Sequence, residues 1–238
     1  MQLKDATVLV VDDEPHYCEI MTGWFEKEGS RVLTAENGAQ ALDVLQKNEV
    51  HAIVTDIRMP VMDGTELVKR IKAMGKYTPA AVSISGFSDL APREAYDLGI
   101  EAQLAKPVQR KALVAALSRT LMDREELWAE PLRATSLPQI TIEFESLSEG
   151  LRQKRIAFGR GGFCMASKMP FPEESTISFK LNFAGDKQTV SGQGTVRWCA
   201  AKDQLAGIEI TRVSEPGRSW VAGLARSNQT VSFIPRST

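Results

Sequence analysis

The 238-residue sequence is poor in the residues that carry most redox, metal and acid–base chemistry. Its three cysteines, Cys18, Cys164 and Cys199, lie far apart and form no CxxC pair. They make neither a zinc pattern nor a disulfide framework and read as small core hydrophobes. Its two histidines, His16 and His51, both fall early in the chain. The second half therefore has no imidazole to activate a nucleophile, which makes a metabolic enzyme the least favoured class. No apolar run approaches the roughly 20 residues of a membrane span. The first residues, Met1 to Asp5, lack the charged-then-apolar pattern of a secretory signal, so a cytoplasmic protein without membrane insertion is expected. Nor is there an excess of charge: 29 Lys and Arg face 30 Asp and Glu, and neither half is strongly polarised. A DNA partner is not expected from that balance.

Hydrophobic residues make up 43% and charged residues 25%, the mix of a soluble globular protein, and the length suits two domains. The run Thr7–Val11, closed by Asp12 and Asp13, suits a central parallel strand buried on both faces. Ile20, Trp24 and Phe25 then share one face of a helix that Gly29 ends. Further strands are predicted at Arg31–Ala35, Ala52–Thr55, Ala80–Ser85 and Glu101–Ala105. They alternate with helices at Gly38–Lys47, Thr65–Ala73 and Leu90–Leu98, and a last helix begins after Pro107. Five βα units in about 120 residues imply a doubly wound five-stranded parallel sheet with its ligand site at the carboxyl ends of the strands.

Asp12 and Asp13, Asp56, Ser85 and Lys106 all fall at those ends. Converging carboxylates repel one another unless a cation lies between them, and hard oxygen ligands suit Mg²⁺. Lys106 adds a point charge and Ser85 a hydroxyl, both suited to a transferring phosphoryl group. Singly, each would be an ordinary helix cap or surface charge.

Four segments carry a family likeness: Val10-Val-Asp-Asp-Glu14, Asp56-Ile-Arg-Met-Pro-Val-Met-Asp-Gly64, Ser83-Ile-Ser-Gly86 and Ala105-Lys-Pro107. Together they make residues 5–120 resemble the receiver domain of two-component response regulators. The resemblance implies that Asp56 is phosphorylated from a histidine kinase or phosphotransfer protein. It implies that Mg²⁺ is held by Asp12, Asp13, Asp56 and the backbone carbonyl of Arg58. Ser85 would close on the phosphoryl group, Lys106 would contact it, and Lys106–Pro107 would be a cis peptide. The chain would then catalyse its own phosphorylation and dephosphorylation and no other reaction. Gln103 departs from the pattern, since the family usually has an inward-turning aromatic there; coupling is then expected through Ser85. Phe87 stands where the family tunes hydrolysis, and its ring would shield a phosphoaspartate from water.

Leu113, Leu117, Leu121 and Trp128 recur at intervals of four and seven, which predicts a final helix running on to about Trp128. It is either an amphipathic helix packed on its own sheet or a seam that permits a homodimer. The prolines at 131 and 138 mark a boundary. Beyond it the period changes to two: Ile140, Ile142 and Phe144 alternate with polar residues, as do Ile177, Phe179, Leu181 and Phe183. Thr189–Trp198 and Leu205–Thr211 supply further strands, and Pro216–Arg226 suits a short closing helix.

Gly161-Gly-Phe163, the strand Gly192 to Trp198 and Gly207-Ile-Glu-Ile210 make residues 139–212 resemble a PilZ domain. Such domains are six-stranded barrels, many of which bind cyclic di-GMP. Binders have an Arg-x-x-x-Arg segment and an Asp/Asn-x-Ser-x-x-Gly turn. Here Arg133 is followed by Leu137, and alignment on Gly162 puts Ala157 and Gly159 at the polar turn positions. Arg152, Lys154, Arg155 and Arg160 are either a solvated strand face and turn or a substitute anion site completed by Gly162. The expected organisation is a receiver at 1–120, a helical extension and linker at 121–138, and a PilZ-like antiparallel β-barrel at 139–238. Phosphorylation would control that barrel, which acts on an unknown downstream protein; the alternative is a cyclic di-GMP effector.

Overall fold

The computed structural model describes residues 1–75, 78–86, 89–132, 136–167, 171–227 and 231–237, and the chain divides into two units, Met1–Met122 and Asp123–Thr238. In the first, the apolar runs become β1 (Thr7–Val11), β2 (Arg31–Ala35), β3 (Ala52–Asp56), β4 (Ala80–Ser85) and β5 (Ala102–Ala105). They pair in parallel in the order β2-β1-β3-β4-β5. Between them run α1 (Pro15–Lys27), α2 (Gly38–Lys47), α3 (Gly64–Ala73) and α4 (Pro92–Asp97), and α5 (Arg110–Leu121) follows β5.

Strand alternation sends Val8, Val10, Val54 and Ile84 to a core with Phe25, Leu113 and Leu117. It sends Leu9, Val11 and Ile53 to the other face, against Ala41, Leu67 and Ile71. Burial on both faces is why β1 and β3 read as unbroken apolar runs. The side chains of Asn37 and Asp63 accept from Gln40 N and Glu66 N, fixing where α2 and α3 start. Register then aligns the strand ends: Val11 faces Thr55, Asp56 faces Ile84 and Ser85 faces Ala105.

Helix α5 ends at Leu121 rather than running on to Trp128. Met122 is extended, at φ −72° and ψ 147°, and Asp123 caps a separate turn, α6 (Arg124–Leu127), by accepting from Glu125 N at 2.8 Å. The apolar spacing that suggests one helix serves two cores. Leu113 and Leu117 belong to the first unit, Leu127 and Trp128 to the second. The continuous helical seam that would permit a homodimer is therefore broken at Met122.

The second unit is an all-β half-barrel. Its strands are β6 (Gln139–Phe144), β7 (Ile156–Phe158), β8 (Gly162–Ala166), β9 (Thr176–Phe183), β10 (Gln188–Ala200) and β11 (Leu205–Val213). They form one sheet in the order β6-β9-β10-β11-β8-β7. The sheet is not antiparallel throughout, because β6 runs parallel to β9. A parallel pair needs a long crossover, and α7 (Leu147–Arg152) with the β7–β8 hairpin supplies it. Phe144 stacks on Phe183 at 5.0 Å and Phe163 meets Phe179 edge-on at 5.2 Å. Helix α8 (Gly217–Ser227) lays Trp220 5.1 Å from the Phe183 ring.

Trp128 is 1% exposed within the second core, and Leu117 is fully buried in the first. Trp128→Ala is expected to destabilise the second unit by about 3–5 kcal/mol, and Leu117→Ala the first by about 2–5 kcal/mol. Denaturant unfolding followed separately for each unit checks this; a Trp128→Ala effect on the first unit's transition alone would return residue 128 to the first core.

Candidate functional site

The site is assembled by the ends of β1, β3, β4 and β5. Asp12 follows β1 and is fully buried, and Asp56, the last residue of β3, is 7% exposed. With the exposed Asp13 they form a group in which one carboxylate oxygen from each residue lies within 4.8 Å of the others. Lys106, just past β5, places Nζ 2.6 Å from Asp56 Oδ2 and 3.2 Å from Asp12 Oδ2. The same ammonium lies 3.9 Å from Glu14 Oε1 and 4.8 Å above the centre of the Tyr17 ring.

Local backbone fixes each carboxylate. Asp12 Oδ1 accepts from Glu14 N at 2.9 Å, and Asp56 Oδ1 accepts from Ile57 N at 2.6 Å. The Thr55 hydroxyl donates to the Asp56 carbonyl at 2.7 Å. A Cβ at residue 64 would stand 2.0 Å from that carbonyl, so only glycine lets α3 begin this close to Asp56. Burial raises the pKa of Asp12 above the ordinary carboxylate value and the charge of Asp56 adds to it, against the lowering effects of the Glu14 amide and Lys106. Burial acts against the Lys106 ammonium, but its bonds to Asp56 and Asp12 prevail and its pKa is raised.

Ser85 ends β4 and is 3% exposed; its carbonyl accepts from Lys106 N at 2.9 Å. Lys106–Pro107 is cis. Gln103, at the position where an aromatic was expected, donates from its side chain to the Leu90 carbonyl at 2.9 Å. The Arg58 guanidinium reaches Asp89 at 2.5 Å, and that bond, with the Gly86 amide, holds the Asp89 carboxyl below the usual range. Phe87 and Arg133 lie outside the described residues. His16 is exposed on α1, and His51 accepts at Nδ1 from Thr7 N at 3.0 Å. Tyr17 and Asp89 have no sequence signal: nothing in their spacing relates them to Lys106 or Arg58.

Arg152, Arg155 and Arg160 of the second unit are engaged locally. Arg152 lies at the end of α7, not on a strand face, and bonds Glu149 at 2.6 and 2.9 Å. The Arg155 guanidinium lies 4.9 Å over the Phe144 ring. Arg160 donates from N to the Ser232 carbonyl at 3.0 Å and from Nε to the Val231 carbonyl at 3.3 Å. Gly162 opens β8 in close contact with the Ile208 carbonyl, and a Cβ on Gly161 would overlap the Phe233 ring at 1.9 Å. The turn that carries Arg160 and Gly162 is thus packed by residues 231–233 of the same chain.

Three carboxylates within 4.8 Å, one of them with its ionised form disfavoured by burial, are a donor set that fits a small divalent cation such as Mg²⁺. Mg²⁺ at ten times its Kd is expected to stabilise the first unit by about 1.4 kcal/mol. Asp13→Asn should remove most of that gain. Thermal unfolding with and without the cation checks it, and equal gains in both proteins would place the cation elsewhere.

The chain matches the response regulator receiver domain family over residues 8–118. It is 29% identical over 192 residues to the transcriptional regulatory protein GlrR of Escherichia coli, covering 76% of this chain and 43% of that protein. An uncharacterised 14.6 kDa protein of Leptolyngbya boryana is 32% identical over 114 residues, 47% of this chain and 87% of its own. The chemotaxis response regulator CheY4 of Vibrio cholerae is 30% identical, with a TM-score of 0.45, over 49% of this chain and 98% of its own. The chain thus spans less than half the length of the first of these curated relatives. Residues 8–118, whose parallel sheet gathers Asp12, Asp13, Asp56 and Lys106 at one end, belong to the response regulator receiver domain family.

Proposed function

We propose that Asp56 accepts a phosphoryl group from the phosphohistidine of a histidine kinase or phosphotransfer protein. The observation that carries this reading is the position of Lys106 Nζ, 2.6 Å from Asp56 Oδ2 inside a cluster of three carboxylates. As the P–N bond to the donor histidine breaks, a new P–O bond forms to Asp56. Lys106 passes from the carboxylate to an oxygen of the incoming group, and the Ser85 hydroxyl donates to another. Asp12, Asp13, Asp56 and the Arg58 carbonyl would hold Mg²⁺, which when bound neutralises charge on the carboxylates and the phosphoryl oxygens. The chain's chemistry on this reading is its own phosphorylation and dephosphorylation, in a cytoplasmic protein. Among the described residues no helix is long and apolar enough to cross a membrane.

Incubation with phosphoramidate and Mg²⁺ should add one hydroxylamine-labile phosphoryl group, read by intact mass. Asp56→Asn should take none, and Lys106→Ala should react about a hundredfold more slowly. Labelling that persists in Asp56→Asn would move the acceptor to another residue.

The second unit serves, on the same reading, as a PilZ-like output that acts on a downstream protein. Its glycine turn and strand pattern support the likeness. The local engagement of Arg152, Arg155 and Arg160 favours protein contact over the alternative of a cyclic di-GMP effector. Calorimetric titration of the full chain with cyclic di-GMP should therefore be flat at high micromolar nucleotide. Saturable heat lost in Arg160→Ala would establish the alternative.

A further inference from the structure

The carboxylate of Asp89 is turned back toward the end of β4, with its side chain 15% exposed. Oδ2 accepts from Gly86 N at 2.7 Å and Oδ1 from Arg58 Nε at 2.5 Å. Helix capping does not explain this arrangement, because α4 begins at Pro92 with Ala91 before it. Gly86 permits the close approach: a Cβ there would stand 2.8 Å from Asp89 Oδ2. Both donors belong to the segments that leave the site, Arg58 two residues after Asp56 and Gly86 one residue after Ser85. A carboxylate from outside the acidic cluster thus occupies an amide and a guanidinium flanking the proposed phosphoacceptor.

We propose that Asp89 is a stand-in anion, holding the Gly86 amide and the Arg58 guanidinium until a phosphoryl group on Asp56 takes those donors over. The inference rests on Asp56 being the phosphoacceptor. While Asp56 is unmodified, Asp89 ties the segment after β3 to the segment after β4 and keeps the Ser85 strand end in place. Phosphorylation brings roughly 1.5 to 2 negative charges to the same donors, and like charges repel. The Asp89 carboxylate then turns away, freeing the segment that leads into α4. Asp89 is a positioning residue: it acts through Gly86 and Arg58 and sets how readily Asp56 is modified.

The test uses the full chain, phosphoramidate and Mg²⁺. The P–O bond to Asp56 forms as the P–N bond breaks, and the nitrogen leaves with its hydrogens as ammonia. Asp89→Ala is expected to be phosphorylated about three- to fivefold faster than the wild type, the scale of an exposed ion pair. Asp89→Asn, which keeps an acceptor for Gly86, should fall between them. Gly86→Ala, which pushes the carboxylate away without changing charge, should move in the same direction as Asp89→Ala. Beryllofluoride, a phosphoryl mimic, should bind Asp89→Ala more tightly by a similar factor. That equilibrium is one a merely loosened loop would weaken. Slower phosphorylation with weaker beryllofluoride binding, or no change in either, overturns the inference. A wild type that reacts no more than Asp56→Asn overturns the phosphoacceptor reading instead.

Discussion

One ammonium group allows three carboxylates to share the end of a sheet. Without Lys106, the buried Asp12 and Asp56 would face each other as anions in surroundings that disfavour even one. With Nζ within 3.2 Å of both, the ammonium holds the two carboxylates together. The rest of the first unit serves that arrangement. The parallel register brings four strand ends level, Gly64 lets a helix start against the Asp56 carbonyl, and Thr55 braces the same carbonyl. Tyr17 supplies a ring beneath the cation. The ammonium is shared between Asp56 and Asp12 rather than locked by a single partner.

Most of this is legible in the sequence because a doubly wound sheet converts chain position into spatial position. A residue just past a strand's carboxyl end lies at the ligand edge whatever its neighbours, so Asp12, Asp56, Ser85 and Lys106 can be assigned from periodicity before any contact is known. Tyr17 and Asp89 cannot, because they reach the site from a helix and a loop whose side-chain directions no period encodes. The helix expected to run to Trp128 shows a related ambiguity. Leucines at helical spacing identify a buried face but not which core buries it, and Met122 divides the pattern between two.

The second unit is less legible for a physical reason. Period-two alternation marks β9 well, since it has one buried face, whereas β10 is buried without a break over Gly192–Gly194 and β11 over Ala206–Ile210. Alternation says little about pairing direction, and the parallel contact of β6 with β9 depends on what the intervening segment does. That segment opens with a one-and-a-half-turn helix carrying three polar residues and a glycine among its six, too short to show a period. The cluster Arg152 to Arg160 looks uniform along the chain. In three dimensions one arginine is at a helix end, one lies on an aromatic ring and one is bonded to a distant backbone.

Phe233 and Ile234 are fully buried, although they follow the last helix of the second unit. Their place in the chain has a consequence for synthesis on the ribosome. The first unit has every residue of its core available once Met122 has emerged. The half-barrel must wait for nearly all of its own sequence, because its Gly159–Gly161 turn is packed by Ser232 and Phe233. The chain therefore matures from front to back.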